Sequence, residues 1–390
     1  MEDPPPSLPT PPKRQKASSL SNVSRTAVVL FLSLGIVIGG GIVGIAGHIS
    51  SRDIQQQNAV AIIREGPDNQ GKAGKTPPPV CGSTVQCGQT FTGEVKLTED
   101  LYCPQTTSGN CAITLEGEDA VLDCNQYMID GDIRVGNGIC LRNSASAINC
   151  YVQKFEDGIY VENGGEVNEC EVMFNIFGIR IENEASSTTK MKISNTYIHD
   201  NGDSGIYFVG SGESPESSET SIEVNNVKSN LNGGLGMFVG GRNVKLEVQV
   251  TDSETSNNDN SGIVISKLGR SDAAVDLELD GIISRYNENF GVYVSSVTGD
   301  VKVKGDVNLY KNGLSGFYAE DANVDIVVER RGALNSCGHL ATGSFDNDIG
   351  SAGVGLATFS GNGYTCDSTS PNLSDIITCD PCPTCPSDDA

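Results

Sequence analysis

The stretch from Tyr197 to Phe208 reads YIHDNGDSGIYF and brings His199, Asp200 and Asp203 together about one repeat after Arg180. An imidazole and two carboxyls beside a guanidinium could split their pKa values and share general acid and base roles. The competing reading is a solvated Asp-Gly turn whose carboxylates bond the local backbone. A second set is aromatic. Tyr160, Tyr207, Phe238, Tyr293 and Tyr318 each occupy the x position of a Gly-φ-x-φ segment, where φ is apolar. Rings in a column along one face could hold sugar rings or the apolar surface of a partner. They could equally be good strand residues under a loop. The acidic turns NNDNSG, HDNGDSG and FDNDIG could hold calcium, although none has the EF-hand pattern, and no dedicated metal site is expected.

Either chemistry needs an element that returns side chains to one face, and the sequence supplies it. The opening glycines are Gly138, Gly158, Gly178, Gly205, Gly236, Gly262, Gly291 and Gly316, at steps of 20, 20, 27, 31, 26, 29 and 25 residues. Apolar residues alternate with period two, as in Ile159/Val161 and Val292/Val294, so the units are strands. A second strand precedes each glycine, and Asn, Asp and Gly fill the bends between them. Stacked parallel strands joined by short bends predict an all-β fold, a parallel β-helix solenoid. The crossover rule makes it right-handed. Asn175, Asn201, Asn230, Asn257, Asn287 and Asn312 are expected to form a ladder, the glycine to turn the corner, and the φ pair to fill the bore.

These repeats, with the opening GEVKLTEDLYC and AITLEGEDAVLDCNQYMIDG, resemble the pectin-lyase-like superfamily over about residues 85–335. The resemblance implies the right-handed parallel β-helix. It implies no single activity, because the superfamily holds lyases, hydrolases, epimerases, adhesins and spacers. Its catalytic motifs are missing: the nearest approaches to the polygalacturonase-like set are CGHL at Cys337–Leu340 and RIE at Arg180–Glu182.

The 13 cysteines cluster toward the two ends, with none between Cys170 and Cys337. Cys81, Cys87, Cys103, Cys111 and Cys124 on one side and Cys337, Cys366, Cys379, Cys382 and Cys385 on the other are disulfide candidates that would cap a solenoid in an oxidising compartment. For the terminal CDPCPTC, disulfides are favoured over zinc. Cys150 and Cys170, one coil apart, are expected to stack in the bore, where they can stay reduced.

Residues 27–47 carry no charge, and 21 residues of helix are roughly 31 Å long, a bilayer core. Lys13, Arg14, Lys16 and Arg25 precede this run, so the positive-inside bias predicts an uncleaved type II signal anchor with residues 1–26 cytosolic. Cleavage after Ala46 is the competing reading. Gly35/Gly39 and Gly40/Gly44 have the spacing of a helix-dimer contact, so a homodimer through the membrane is possible. The expected order is a Pro-rich tail at 1–26, the anchor at 27–47, a flexible stem at 48–80, the β-helix at 81–335 and a Cys-rich cap and tail at 336–390. Asn372 heads a glycosylation sequon. Removing the +2 of residues 1–26 from the chain's −24 leaves −26 beyond them, which excludes nucleic acid as a partner. The leading expectation is a non-catalytic, membrane-anchored β-helix that binds a glycan or a protein. The alternative is a tethered polysaccharide lyase or hydrolase centred on Arg180, His199, Asp200 and Asp203, and the third is a spacer without a ligand.

Overall fold

A computed structural model describes residues 85–328, with breaks at 105, 133, 186–188, 213–218, 269–272 and 321–322, and beyond them the strand segments 333–337, 349–352, 357–361 and 364–365. The expected membrane span at 27–47, Cys81, Cys366, Cys379, Cys382, Cys385 and Asn372 lie outside the described residues. Among those described, the chain forms three parallel sheets of 11 strands each. We call them A, B and C in the order the chain visits them; every coil adds one strand to each, the signature of a parallel β-helix. The stack runs on past residue 335. Ile349–Ala352, Ala357–Gly361 and Tyr364–Thr365 extend sheets A, B and C, although they lack the Gly-φ-x-φ signature.

Sheet A contains the repeats. Its φ residues stack in register and are buried: Ile139, Ile159, Ile179, Ile206, Met237, Ile263 and Val292 form one column, and Leu141, Val161, Ile181, Phe208, Val239, Ile265 and Val294 the next. Each such side chain contributes roughly 1.5–3 kcal/mol over its exposed state. The glycine before them does not supply an unusual backbone angle, as the corner reading assumed. It is there for space: a Cβ on Gly158, Gly178 or Gly236 would stand 2.7, 2.5 or 2.6 Å from the carbonyl oxygen of the equivalent glycine one coil on.

The C-to-A corner holds a continuous amide ladder. In it Asn175, Asn201, Asn232, Asn258 and Asn287 each pass an Nδ2–H to the next Oδ1, at 3.2, 3.0, 3.0, 2.9 and 3.0 Å, ending on Asn312. Two expected rungs are thereby corrected. Asn257 is the corner residue before the ladder, with φ 55°, and Asn230 ends a strand of sheet C. The rule is local: the residue before each rung (Phe174, Asp200, Leu231, Asn257, Tyr286, Lys311) is left-handed, which turns the next side chain inward.

Three disulfides fasten the first coils: Cys87–Cys103, Cys111–Cys140 and Cys124–Cys150. The expectation that Cys150 stays reduced is therefore wrong. Cys124, Cys150 and Cys170 open successive coils of sheet C at the same corner; the first two pair across a Cα separation of 4.8 Å, one coil spacing, and Cys170 is left as a buried free thiol. Cys140 occupies the outward position of its strand in sheet A and is bridged to Cys111. The strand Ala333–Cys337 places the backbone of Cys337 in sheet C.

Candidate functional site

The x positions of sheet A form one outward column in register: Cys140, Tyr160, Arg180, Tyr207, Phe238, Val264, Tyr293 and Tyr318. Parallel pairing stacks equivalent side chains about 4.8 Å apart, close to ring-stacking distance. Tyr207 and Phe238 stack at 5.0 Å with 16° between planes. Phe290 stacks at 5.1 Å on Tyr293 and at 5.0 Å on Tyr318. Phe177 leans on Tyr207 at 5.2 Å. The rings therefore cover one another's faces, and Phe238 and Tyr318 are only 9% and 8% exposed. What the column offers is the half-buried rims of Tyr160, Tyr207 and Tyr293, flanked by Phe177 and Phe290.

Charge concentrates around Arg180. Its Nη2 donates to Glu182 Oε1 at 2.5 Å, its Nη1 lies 3.9 Å from Asp157 Oδ2, and its guanidinium covers the Phe177 ring at 5.6 Å. Tyr160 Oη donates to Glu182 Oε2 at 2.9 Å. Burial lowers the Arg180 pKa, but Asp157 and Glu182 outweigh it and leave the group above its usual value. Asp157 is 3% exposed, and its Oδ1 has no hydrogen-bond partner. Desolvation pushes its carboxyl up to about 7, against the pull of Arg180. Burial, then the bond to Glu182, raises the Tyr160 hydroxyl. The arrangement can keep the Asp157 carboxyl partly protonated near neutrality beside the arginine.

The proposed acid–base group is divided between faces. Arg180 belongs to sheet A, His199 to sheet C, and Asp203 to the turn between them, where it is exposed and accepts a bond from Ser204 Oγ at 2.9 Å. His199 is held by Asp200 Oδ2 at Nδ1 (2.7 Å) and by Glu171 Oε1 at Nε2 (3.1 Å), with Tyr197 stacked on it at 4.0 Å. Burial lowers its pKa, and the two carboxylates outweigh that and raise it. With both ring nitrogens engaged, His199 acts as a clamp between coils. Asp157 is the residue that reading the sequence overlooked. Its signal was available: among the residues preceding the repeat glycines (Asn137, Asp157, Phe177, Ser204, Leu235, Ser261, Phe290, Ser315) it alone is ionisable. Among the described residues no three His, Cys, Asp or Glu side chains converge as a metal site.

Residues 137–275, which are 139 of the 390, match the family model of the right-handed β-helix region, in agreement with the handedness the crossover rule requires. No curated protein and no solved structure matches the chain.

Proposed function

We propose that the chain is a type II membrane protein whose β-helix binds a glycan or a protein ligand along the outer face of sheet A. The observation that carries this reading is the register of Tyr160, Tyr207 and Tyr293 on one face, with partly exposed rims two and three coils apart. Sugar rings and partner side chains both settle against such rims. The charge-free run 27–47 behind a basic segment supports the anchor, and three disulfides fit an oxidising compartment on the far side of it. The test is affinity electrophoresis of the detergent-solubilised chain through gels cast with neutral or acidic polysaccharides. Retardation that Tyr207→Ala and Tyr293→Ala remove supports glycan binding. Free migration in every gel refutes it and leaves a protein ligand.

A second reading has its own observation. The buried Asp157 carboxyl, raised to about 7 beside Arg180 and Glu182, favours a tethered polysaccharide lyase or hydrolase whose acid is Asp157, with His199 and Asp200 outside the centre. A cleared zone in the gel that Asp157→Asn abolishes would establish it. Clearing that survives this change would place any chemistry elsewhere.

A further inference from the structure

An open cleft of about 600 Å3 lies at the N-terminal end of sheet A, within the roughly 300–1,000 Å3 range of small-molecule sites. Its walls are fixed. The loop between Cys103 and Asn110 is stapled at one end by Cys87–Cys103, and Cys111, the next residue, is tied to Cys140. The loop also bonds to the following coil, from Asn137 N–H to Asn110 O at 2.8 Å. Cys140 points outward yet is fully buried, so its bridge walls the cleft off from Tyr160 and the aromatic column.

The lining is chemically unlike the rest of the chain. The protein has 50 acidic and 26 basic residues, yet among the described residues lining the cleft the one ionisable group is Arg142. Around it stand the hydroxyls of Thr106, Thr107 and Thr114 and the amide of Asn110. Glu162, on the next coil and outside the cleft, pairs with the Arg142 side chain as an ion at 3.1 Å from Nε, yet Nε is buried without a hydrogen-bond partner. No other ion pair or hydrogen bond engages that side chain among the described residues, and it is 42% exposed. The two terminal nitrogens of a guanidinium form a fork, the geometry that binds an oxyanion through paired hydrogen bonds. Hydroxyls and an amide beside it suit the alcohol groups of the same ligand.

We propose that this cleft binds the oxyanion of a small hydroxylated molecule, with Arg142 on the anion and the threonines and Asn110 on its hydroxyls. The site is independent of the column on sheet A and needs neither reading of it. Calorimetry of the full-length chain in detergent, titrated with D-gluconate, glycerol 3-phosphate and inorganic phosphate and with glucose and glycerol as neutral controls, tests it. At least one of the anions is expected to bind at least tenfold more tightly than its neutral counterpart. A preference for gluconate identifies a carboxylate, and a preference for the phosphates a phosphoryl group. Arg142→Gln should weaken that binding roughly tenfold or more, the scale of a charge-assisted pair. Thr114→Phe, which fills the cleft from the outer face, should abolish it. Both variants should keep the three disulfides and the unfolding midpoint of the parent. Anions that bind no better than glucose and glycerol overturn the proposal, as does binding that both variants leave unchanged.

Discussion

The amide ladder makes a prediction that separates neighbouring asparagines. Asn258 is 1% exposed and satisfies four groups at once. Its Oδ1 accepts from Asn232 N–H at 3.1 Å and from Asn232 Nδ2 at 3.0 Å, while its Nδ2 donates to Asn287 Oδ1 at 2.9 Å and to Ser229 O at 3.1 Å. Asn258→Ala leaves two donors of Asn232 without partners and removes one bond to the Ser229 carbonyl; Asn287 Oδ1 still accepts the backbone N–H of residue 258. At about 1–3 kcal/mol for each orphaned buried group, less some local relaxation, the loss is about 3–5 kcal/mol. Asn257, one residue earlier, is exposed and left-handed with φ 55°. Asn257→Ala should cost only about 1 kcal/mol, the strain of that backbone angle on alanine. Urea unfolding followed by circular dichroism checks the pair. Because solenoids can unfold in sections, hydrogen exchange of the amides near residues 232 and 287 should accompany it. An Asn257→Ala variant as unstable as Asn258→Ala, or more so, would refute the ladder as the element that organises this corner.

Other expectations follow from single contacts. Gly236→Ala places a methyl 2.6 Å from Gly262 O and 2.8 Å from Asn258 Nδ2, and should cost at least the roughly 1–3 kcal/mol of an overpacked core; Gly202→Ala, whose nearest neighbour is Arg134 Nη1 at 3.5 Å, should stay within about 0.5 kcal/mol by the same unfolding assay. The His199 pKa is raised in the folded chain, so its contribution is complete below the unfolded value of about 6.5 and is lost as pH rises through the folded one. The urea midpoint should fall over that window, and His199→Asn should remove this part of the slope. Burial pushes the Cys170 thiol up to about 12, so iodoacetamide at pH 8 should label it only after unfolding. Peptide mapping should recover Cys87–Cys103, Cys111–Cys140 and Cys124–Cys150, and a Cys150–Cys170 peptide would contradict the fold at that corner.

The architecture was legible because the repeat is enforced at eight consecutive coils. An apolar pair and a glycine recur wherever the bore and the close approach demand them, and eight copies rise above the sequence noise. The outward column was legible for the same reason, since register follows once the glycines are aligned. The ladder was read only in part: Asn230 and Asn257 are the same residue type as the true rungs and lie within two positions of them, so composition could not separate them. Only the left-handed residue before each rung does so, and a backbone angle is not written in residue identity when Phe174 and Leu231 adopt it as readily as Asn257. The acid–base group is split for a topological reason. His199 and Arg180 are 19 positions apart, close to one coil length, but they sit on different sheets because a coil has three faces.

That three-sided section also explains how so acidic a chain stacks without a metal cluster among its described residues. On the outer face of sheet B, Glu247, Asp276 and Asp300 lie in register on consecutive strands, which places like charges about 4.8 Å apart. Lys245 answers the first two, with its Nζ 3.2 Å from Glu219, 3.0 Å from Glu247 and 3.1 Å from Asp276; Lys302 lies 4.0 Å from Asp300, and Lys304 pairs with Glu278 on the neighbouring column. These carboxylates raise the Lys245 pKa, and the bonds from Glu219 and Lys245 lower that of Glu247. Each lysine thus offsets the repulsion between stacked carboxylates. The cations on the other faces are differently employed: Arg180 is shared between Glu182 and Asp157, whereas Arg142 has a single carboxylate and a cleft in front of it. Arg142 thus keeps terminal donors unspent at a hydroxyl-lined opening. Ligand binding accounts for it more directly than folding does.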